Sequence, residues 1–238
     1  MTNQELATQL QTLINQRLEK QRTILPTYRL PLTKEQVVDY LTAYYEAEVR
    51  TKGGVYDSEK NQAYIESVAN WLTIPTKKRG LILYGTVGSG KSTMLRSICQ
   101  MIRTIKQSYK DIGTAYFFDM DSAQRQRCKE WERVNEPDYL IANDVVRDNG
   151  KLQKALSSKF VALDDIGVEP LHKNDFGTVS MPIADVIYNC YDYNTPLIIT
   201  TNLNDAQIKE RYGARVADRL TEFCNRISYT NLSYRANK

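Results

Sequence analysis

The chain reads as an α/β protein, with a five-stranded parallel sheet flanked by helices behind a short helical N-terminal region. Three observations predict this. From residue 81 onward, strand-length apolar runs alternate with stretches of helical periodicity, the pattern of a parallel sheet wrapped by helices. The first run, Leu81-Ile82-Leu83-Tyr84, passes directly into the glycine-rich loop Gly85-Thr86-Val87-Gly88-Ser89-Gly90-Lys91-Ser92, and a helical stretch follows. A later run, Phe160-Val161-Ala162-Leu163, ends in the acid pair Asp164-Asp165.

Taken in order, Leu6, Leu10, Leu13, Ile14 and Leu18 recur at spacings of three and four, one stripe of an amphipathic helix over residues 5–19. Pro26 and Pro31 interrupt the chain, and Thr33 with Gln36 has the form of a capping box. Val37, Val38, Leu41, Tyr44 and Tyr45 then form a second stripe that stops at Gly53-Gly54. A third helix is expected from Asp57, with Tyr64, Ile65, Val68 and Leu72 inward, and residues 73–79 lead into the first strand. Residues 1–56 are therefore read as the helical N-terminal region and 57–238 as the α/β domain. The apolar stripes of the first region are suited either to a partner's groove or to packing within the chain. Strands are expected at Leu81–Tyr84, Ala115–Phe118, Phe160–Leu163, Pro196–Thr201 and Ile227–Leu232, with helices starting near Lys91, Asp121, Phe176, Asn204 and Tyr212.

The composition, 42% hydrophobic and 25% charged, is that of a soluble globular protein and argues against a disordered or membrane class. A net charge of +4 permits contact with nucleic acid without arguing for it. Met1-Thr2-Asn3-Gln4-Glu5 lacks the basic and apolar regions of a signal peptide, and no apolar run approaches a membrane span, so a cytoplasmic protein with no membrane partner is expected. Cys99, Cys128, Cys190 and Cys224 form no CxxC pair, which predicts reduced, mostly buried thiols.

Gly85, Gly90, Lys91 and Ser92 satisfy G-x-x-x-x-G-K-[ST] in its required setting, after a strand and before a helix. Glycines allow consecutive backbone N–H groups to turn inward as an anion nest, and the helix N-terminus adds its partial positive charge. Gly85 to Thr93, namely Gly85, Thr86, Val87, Gly88, Ser89, Gly90, Lys91, Ser92 and Thr93, are the expected phosphate contacts. Lys91 would bridge the β- and γ-phosphates and the Ser92 hydroxyl would hold Mg²⁺. Asp164 is read as a second metal ligand and Asp165 as the residue that orients the attacking water. A further run, Pro196 to Thr201, ends in Asn202, suited to the γ-phosphate or the water, or alternatively to capping the next helix.

These stretches, LILYGTVGSGKST, FVALDDIGVEP, LIITTNL, RYGARVADRL and the terminal LSYR, resemble the AAA+ ATPases of the DnaC-type helicase loaders, with the IstB-type transposition helpers close behind. The resemblance runs from about residue 57 to the end. It implies a P-loop AAA+ fold, ATP and Mg²⁺ as cofactors, self-assembly into a ring or spiral, and single-stranded DNA and a replicative helicase as partners. It also implies that Arg219 is an arginine finger reaching a neighbouring subunit's site, assisted by Arg215. Residues 121–159 correspond in position to the family's helical insertion and carry Arg125, Arg127, Lys129, Arg133 and Trp131, countered by Glu130, Glu132, Glu136 and Asp138. Two features depart from the pattern: Asp165 stands where many relatives have glutamate, and the 19 residues after Arg219 are too few for a full lid domain. A P-loop kinase and a weakly hydrolysing nucleotide switch are the alternatives. Asp175-Phe176-Gly177 imitates a kinase motif without the accompanying catalytic loop, and the single histidine, His172, reads as an exposed loop residue.

Overall fold

The computed structural model describes residues 11–13, 29–74, 76, 78–112, 136–175 and 177–230. In chain order its elements are α1 (Lys34–Thr51), α2 (Ser58–Thr73), β1 (Gly80–Gly85), α3 (Lys91–Ile112), β2 (Asp138–Ile141), α4 (Ala142–Arg147), α5 (Asn149–Ser157), β3 (Val161–Ile166), β4 (Lys173–Asp175), β5 (Thr178–Ser180), α6 (Pro182–Asp192), β6 (Leu197–Thr201), α7 (Asp205–Tyr212), α8 (Ala214–Phe223) and β7 (Cys224–Tyr229). The five-stranded sheet has the order β2-β3-β6-β1-β7, and every pairing in it is parallel. This is the α/β architecture that the alternation of strands and helices predicts.

Strand side chains alternate between the two faces of the sheet, and this divides the core in two. Leu81, Leu83, Ala162 and Ile198 pack with Val37, Leu41, Ile65, Val68, Leu72, Met94 and Ile98 on one face. Their neighbours Ile82, Val161, Leu163, Leu197 and Ile199 pack on the other with Val145, Ile183, Val186, Ile187 and Leu220. Covered on both sides, β6 is buried along its whole length, which is why its sequence reads as an unbroken apolar run ending in two threonines.

Helix α1 starts with the capping box read from the sequence. The Thr33 hydroxyl accepts from Gln36 N–H at 3.3 Å, and the Gln36 side chain accepts from Thr33 N–H at 3.0 Å. Its stripe of Val37, Leu41 and Tyr45 is buried in the same cluster as α2 and α3. Among the described residues, no helix is long and apolar enough to cross a membrane.

Several boundaries differ from the sequence expectation. The strand beside β3 is Asp138–Ile141, with Tyr139 opposite Ala162 and Ile141 opposite Asp164. It lies inside the stretch read as a helical insertion, and its four residues, two of them polar, are too short for periodicity to reveal. The helix expected near Phe176 begins at Pro182, where the missing N–H costs nothing. An antiparallel hairpin of β4 and β5 precedes it, with Gly177 at a φ of 89° in the turn. Strand β3 runs on through both acids to Ile166, and the last strand, expected over Ile227–Leu232, is Cys224–Tyr229. The expected strand Ala115–Phe118, the basic residues Arg125, Arg127, Lys129 and Arg133, the terminal LSYR and all but residues 11–13 of the first stripe lie outside the described residues.

Candidate functional site

Three parallel strands, β1, β3 and β6, deliver the glycine loop, the acid pair and Asn202 to one edge of the sheet, because all three run the same way. Ligands of open α/β sheets bind at that carboxyl edge. The loop needs its glycines: Gly85, Gly88 and Gly90 have φ of 138°, 80° and 99°, backbone that residues with a Cβ rarely adopt. At Gly85 an added Cβ would also meet the Tyr229 carbonyl oxygen at 2.0 Å.

Lys91, only 6% exposed, donates from Nζ to the Gly85 carbonyl at 2.9 Å, the Thr86 carbonyl at 2.6 Å, the Ser89 hydroxyl at 3.3 Å and Asn202 Oδ1 at 2.9 Å. Burial lowers its pKa, and the nearby Asp165 and Asp164 carboxylates oppose that shift. The ammonium therefore bridges the end of β1 and the end of β6. Asn202 is not the cap of the following helix. Asn204 holds that role, accepting from Gln207 N–H at 2.9 Å.

The acids owe their placement to a break in register. Leu163 pairs with Ile199 and Ile166 with Thr201, so Asp164 and Asp165 together oppose Thr200, the two-against-one arrangement of a β-bulge. Asp165 takes a φ of 63°, left-handed backbone for a non-glycine residue. Thr200 serves both acids. Its hydroxyl donates to Asp164 Oδ1 at 2.6 Å and accepts from Asp165 N–H at 2.7 Å. The second oxygen of Asp164 accepts from the Tyr139 hydroxyl at 2.5 Å and stands 3.6 Å from Arg96. Burial and the bond to Asp164 push the Tyr139 pKa up. Asn202 Nδ2 approaches Asp165 Oδ1 at 3.4 Å.

The structure thus brings Lys91, Asp164, Asp165 and Asn202 together. The Thr93 hydroxyl accepts from Lys52 at 3.0 Å, so the end of α1 also reaches the loop. Arg219 sits elsewhere. Its guanidinium lies 4.5 Å from the Tyr188 ring centre and 4.8 Å from that of Tyr191, and it is 3.4 Å from Asp192, all three on α6. Arg215 stacks on Tyr188 as well, at 5.3 Å, which places both arginines on one face of α8.

Sequence reading missed Thr200, Tyr139, Arg96 and Glu169. The Glu169 side chain is buried beyond the acid strand, accepts from Gly167 N–H at 2.7 Å and from the Tyr212 hydroxyl, and pairs with Arg211 at 3.6 Å. It fixes the loop after β3 to α7. The only local signal was the adjacency of GVEP to the acid pair.

The donors suit a hard divalent cation. The Ser92 hydroxyl and the Asp164 carboxylate would offer oxygen donors, and each Asp164 oxygen accepts one hydrogen bond while retaining lone-pair capacity. Among the described residues, no group of three His, Cys, Asp or Glu side chains could hold a metal by itself. A cation here would depend on phosphate oxygens and water as well, as Mg²⁺ in phosphate sites does.

A family model described as Nephrocystin 3, N-terminal, matches residues 64–133, a span that contains the glycine loop. No curated protein matches the chain. Among solved structures, the chain is similar to the crystal structure of DnaI at 18% identity, covering 67% of this chain and 74% of that one with a TM-score of 0.43. It is also similar to the DnaC helicase loader at 16%, covering 74% and 92% with a TM-score of 0.40. AMPPCP-bound DnaA from Aquifex aeolicus is similar at 15%, covering 76% of this chain and 50% of that one with a TM-score of 0.45. The chain's own geometry is that of an α/β P-loop fold: a five-stranded parallel sheet in the order β2-β3-β6-β1-β7, with the glycine loop leaving β1 and the acid pair near the carboxyl end of β3.

Proposed function

We propose that the chain is a P-loop ATPase of the helicase-loader kind, acting in DNA replication on single-stranded DNA and a replicative helicase. The observation that supports nucleotide chemistry best is the convergence of Lys91, Asn202 and the acid pair, linked by Lys91 Nζ to Asn202 and by the Thr200 hydroxyl to both acids. The replication role rests on the resemblance of the sequence motifs.

In this reading Lys91 exchanges its loop carbonyls for the β- and γ-phosphates, and the loop amides cradle the remaining charge. Ser92 and Asp164 are the residues that would hold Mg²⁺, and the ion would supply neutralisation of phosphate charge there. Asp165, fixed by the bulge beside Asn202, orients the attacking water, with Asn202 as the second polar contact. Such an arrangement works by positioning and electrostatics, since phosphoryl transfer leaves little covalent work to the protein. Arg219 acts on a neighbouring subunit in a ring or spiral, a contribution of roughly 10³ to 10⁵ in rate where such fingers operate.

The test is ATP hydrolysis per subunit as protein concentration rises, with and without single-stranded DNA. It is repeated for a mixture of Lys91→Ala and Arg219→Ala chains. A rate that climbs with concentration, and a mixture that recovers activity each variant lacks, are expected. A flat rate with no recovery would contradict a shared site and favour a self-contained enzyme such as a P-loop kinase.

A further inference from the structure

We propose that Tyr139 and Arg96 are positioning residues for Asp164, and that Glu48 extends this support into α1, making the N-terminal helix part of the nucleotide site. The inference rests on the reading of Asp164 as a metal ligand and adds what orients it.

Asp164 is 4% exposed, so its carboxylate is oriented by neighbours rather than by water. Each oxygen has one fixed donor, Thr200 on Oδ1 at 2.6 Å and Tyr139 on Oδ2 at 2.5 Å. With both oxygens anchored, rotation of the carboxylate plane would break a bond, and the remaining lone pairs keep one direction. The proton assignment at Tyr139 follows from the inventory of its hydroxyl. Arg96 Nε donates to that oxygen at 3.1 Å, and arginine has no acceptor, so the single phenolic proton goes to Asp164. The Arg96 guanidinium also lies 5.6 Å from the Tyr139 ring centre and 3.6 Å from Asp164 Oδ2.

Arg96 is held in turn from α1. Its Nη1 meets Glu48 Oε1 at 3.3 Å, Gln100 donates to Glu48 Oε2 at 3.4 Å, and Lys52 pairs with Glu48 at 3.1 Å. Glu48 is a buried carboxylate on a helix whose other buried residues are Val37, Leu41 and Tyr45. A charge at such a position is costly unless paired. Its partners here are two residues of α3 and Lys52 at the end of α1, and the one on α3 that touches Asp164 is Arg96. Support groups of this kind orient a metal ligand without touching the metal, and their loss typically costs 10–100-fold in metal affinity or activity.

The experiment uses full-length Tyr139→Phe and Glu48→Gln, with Arg96→Lys as a variant that keeps the charge but not the fork. Binding of a fluorescent ATP analogue is titrated in EDTA and then across MgCl₂ concentrations, beside thermal melting of each variant. Tyr139→Phe is expected to raise the half-saturating Mg²⁺ for nucleotide binding about tenfold while affinity in EDTA stays at the wild-type value. Glu48→Gln and Arg96→Lys are expected to shift the same midpoint in the same direction, by less. They carry the test if Tyr139→Phe does not fold. An unchanged Mg²⁺ midpoint would overturn the inference alone, as would affinity lost equally in EDTA and in Mg²⁺. Wild-type protein that binds no nucleotide under either condition would overturn the nucleotide site itself, and the inference with it.

Discussion

Replacing Thr200 with valine tests the junction between the two acids, because the hydroxyl donates to Asp164 at 2.6 Å and accepts from Asp165 N–H at 2.7 Å. Valine keeps the shape and removes both bonds. A hydrogen bond to a charged group contributes about 1.5–3 kcal/mol, and withdrawing the acceptor from the part-buried Asp165 N–H costs about 1 kcal/mol or more, up to about 3 kcal/mol for a fully buried group. Burial of the added methyl offsets roughly 1 kcal/mol. Because the two bonds share one atom they are not independent, and the net loss is about 2–4 kcal/mol. At 1% exposure, Thr200 has little access to water that could stand in for either bond. Urea denaturation of wild type, Thr200→Val and Thr200→Ser measures the loss. The serine variant retains the hydroxyl and is expected to lose about 1 kcal/mol, the worth of one buried methyl. Valine and serine variants of equal stability would refute the claim that this hydroxyl holds the bulge together.

Gly85→Ala places a Cβ at 2.0 Å from the Tyr229 carbonyl and forces alanine to a φ of 138°, so nucleotide binding by calorimetry and the melting temperature should both fall sharply. Leu41→Ala removes a fully buried side chain shared by α1 and α3 and should cost about 2–5 kcal/mol in chemical denaturation. A loss under 1 kcal/mol would mean that α1 is not part of the core. Burial pushes the Cys99 and Cys190 thiols up to about 12 and Cys224 up further. Iodoacetamide at neutral pH should leave all three unmodified in the native protein and label them in denaturant, as read by mass spectrometry.

Much of this was legible in the sequence because the signals were local. The glycine loop carries its own backbone requirement, and its strand and helix flank it directly. The capping box at Thr33 and Gln36 is a four-residue pattern, and it formed as read. The acid pair was found by its apolar strand. What sequence could not give were contacts between distant segments. Tyr139 reaches Asp164 only because a four-residue edge strand pairs with β3, and nothing in DYLI marks it as a strand. Thr200 matters because of a register break visible only when β3 and β6 are paired. Asn202 and Asn204 are two residues apart, and only the direction of each side chain shows that Asn204 caps α7 while Asn202 accepts from Lys91. Glu48 carries no local signal of its role, which depends on α3 bringing Arg96 against it.

The most direct measurement of the central claim is calorimetric titration of MgATP into wild-type protein and into Lys91→Ala, with Asp164→Asn as a third chain. If the loop, Lys91 and the acid pair form one nucleotide site, wild type binds with a stoichiometry of one per chain. Lys91→Ala then loses most of the affinity, and Asp164→Asn loses the Mg²⁺-dependent part. Equal binding by all three chains, or none by folded wild type, would contradict the account.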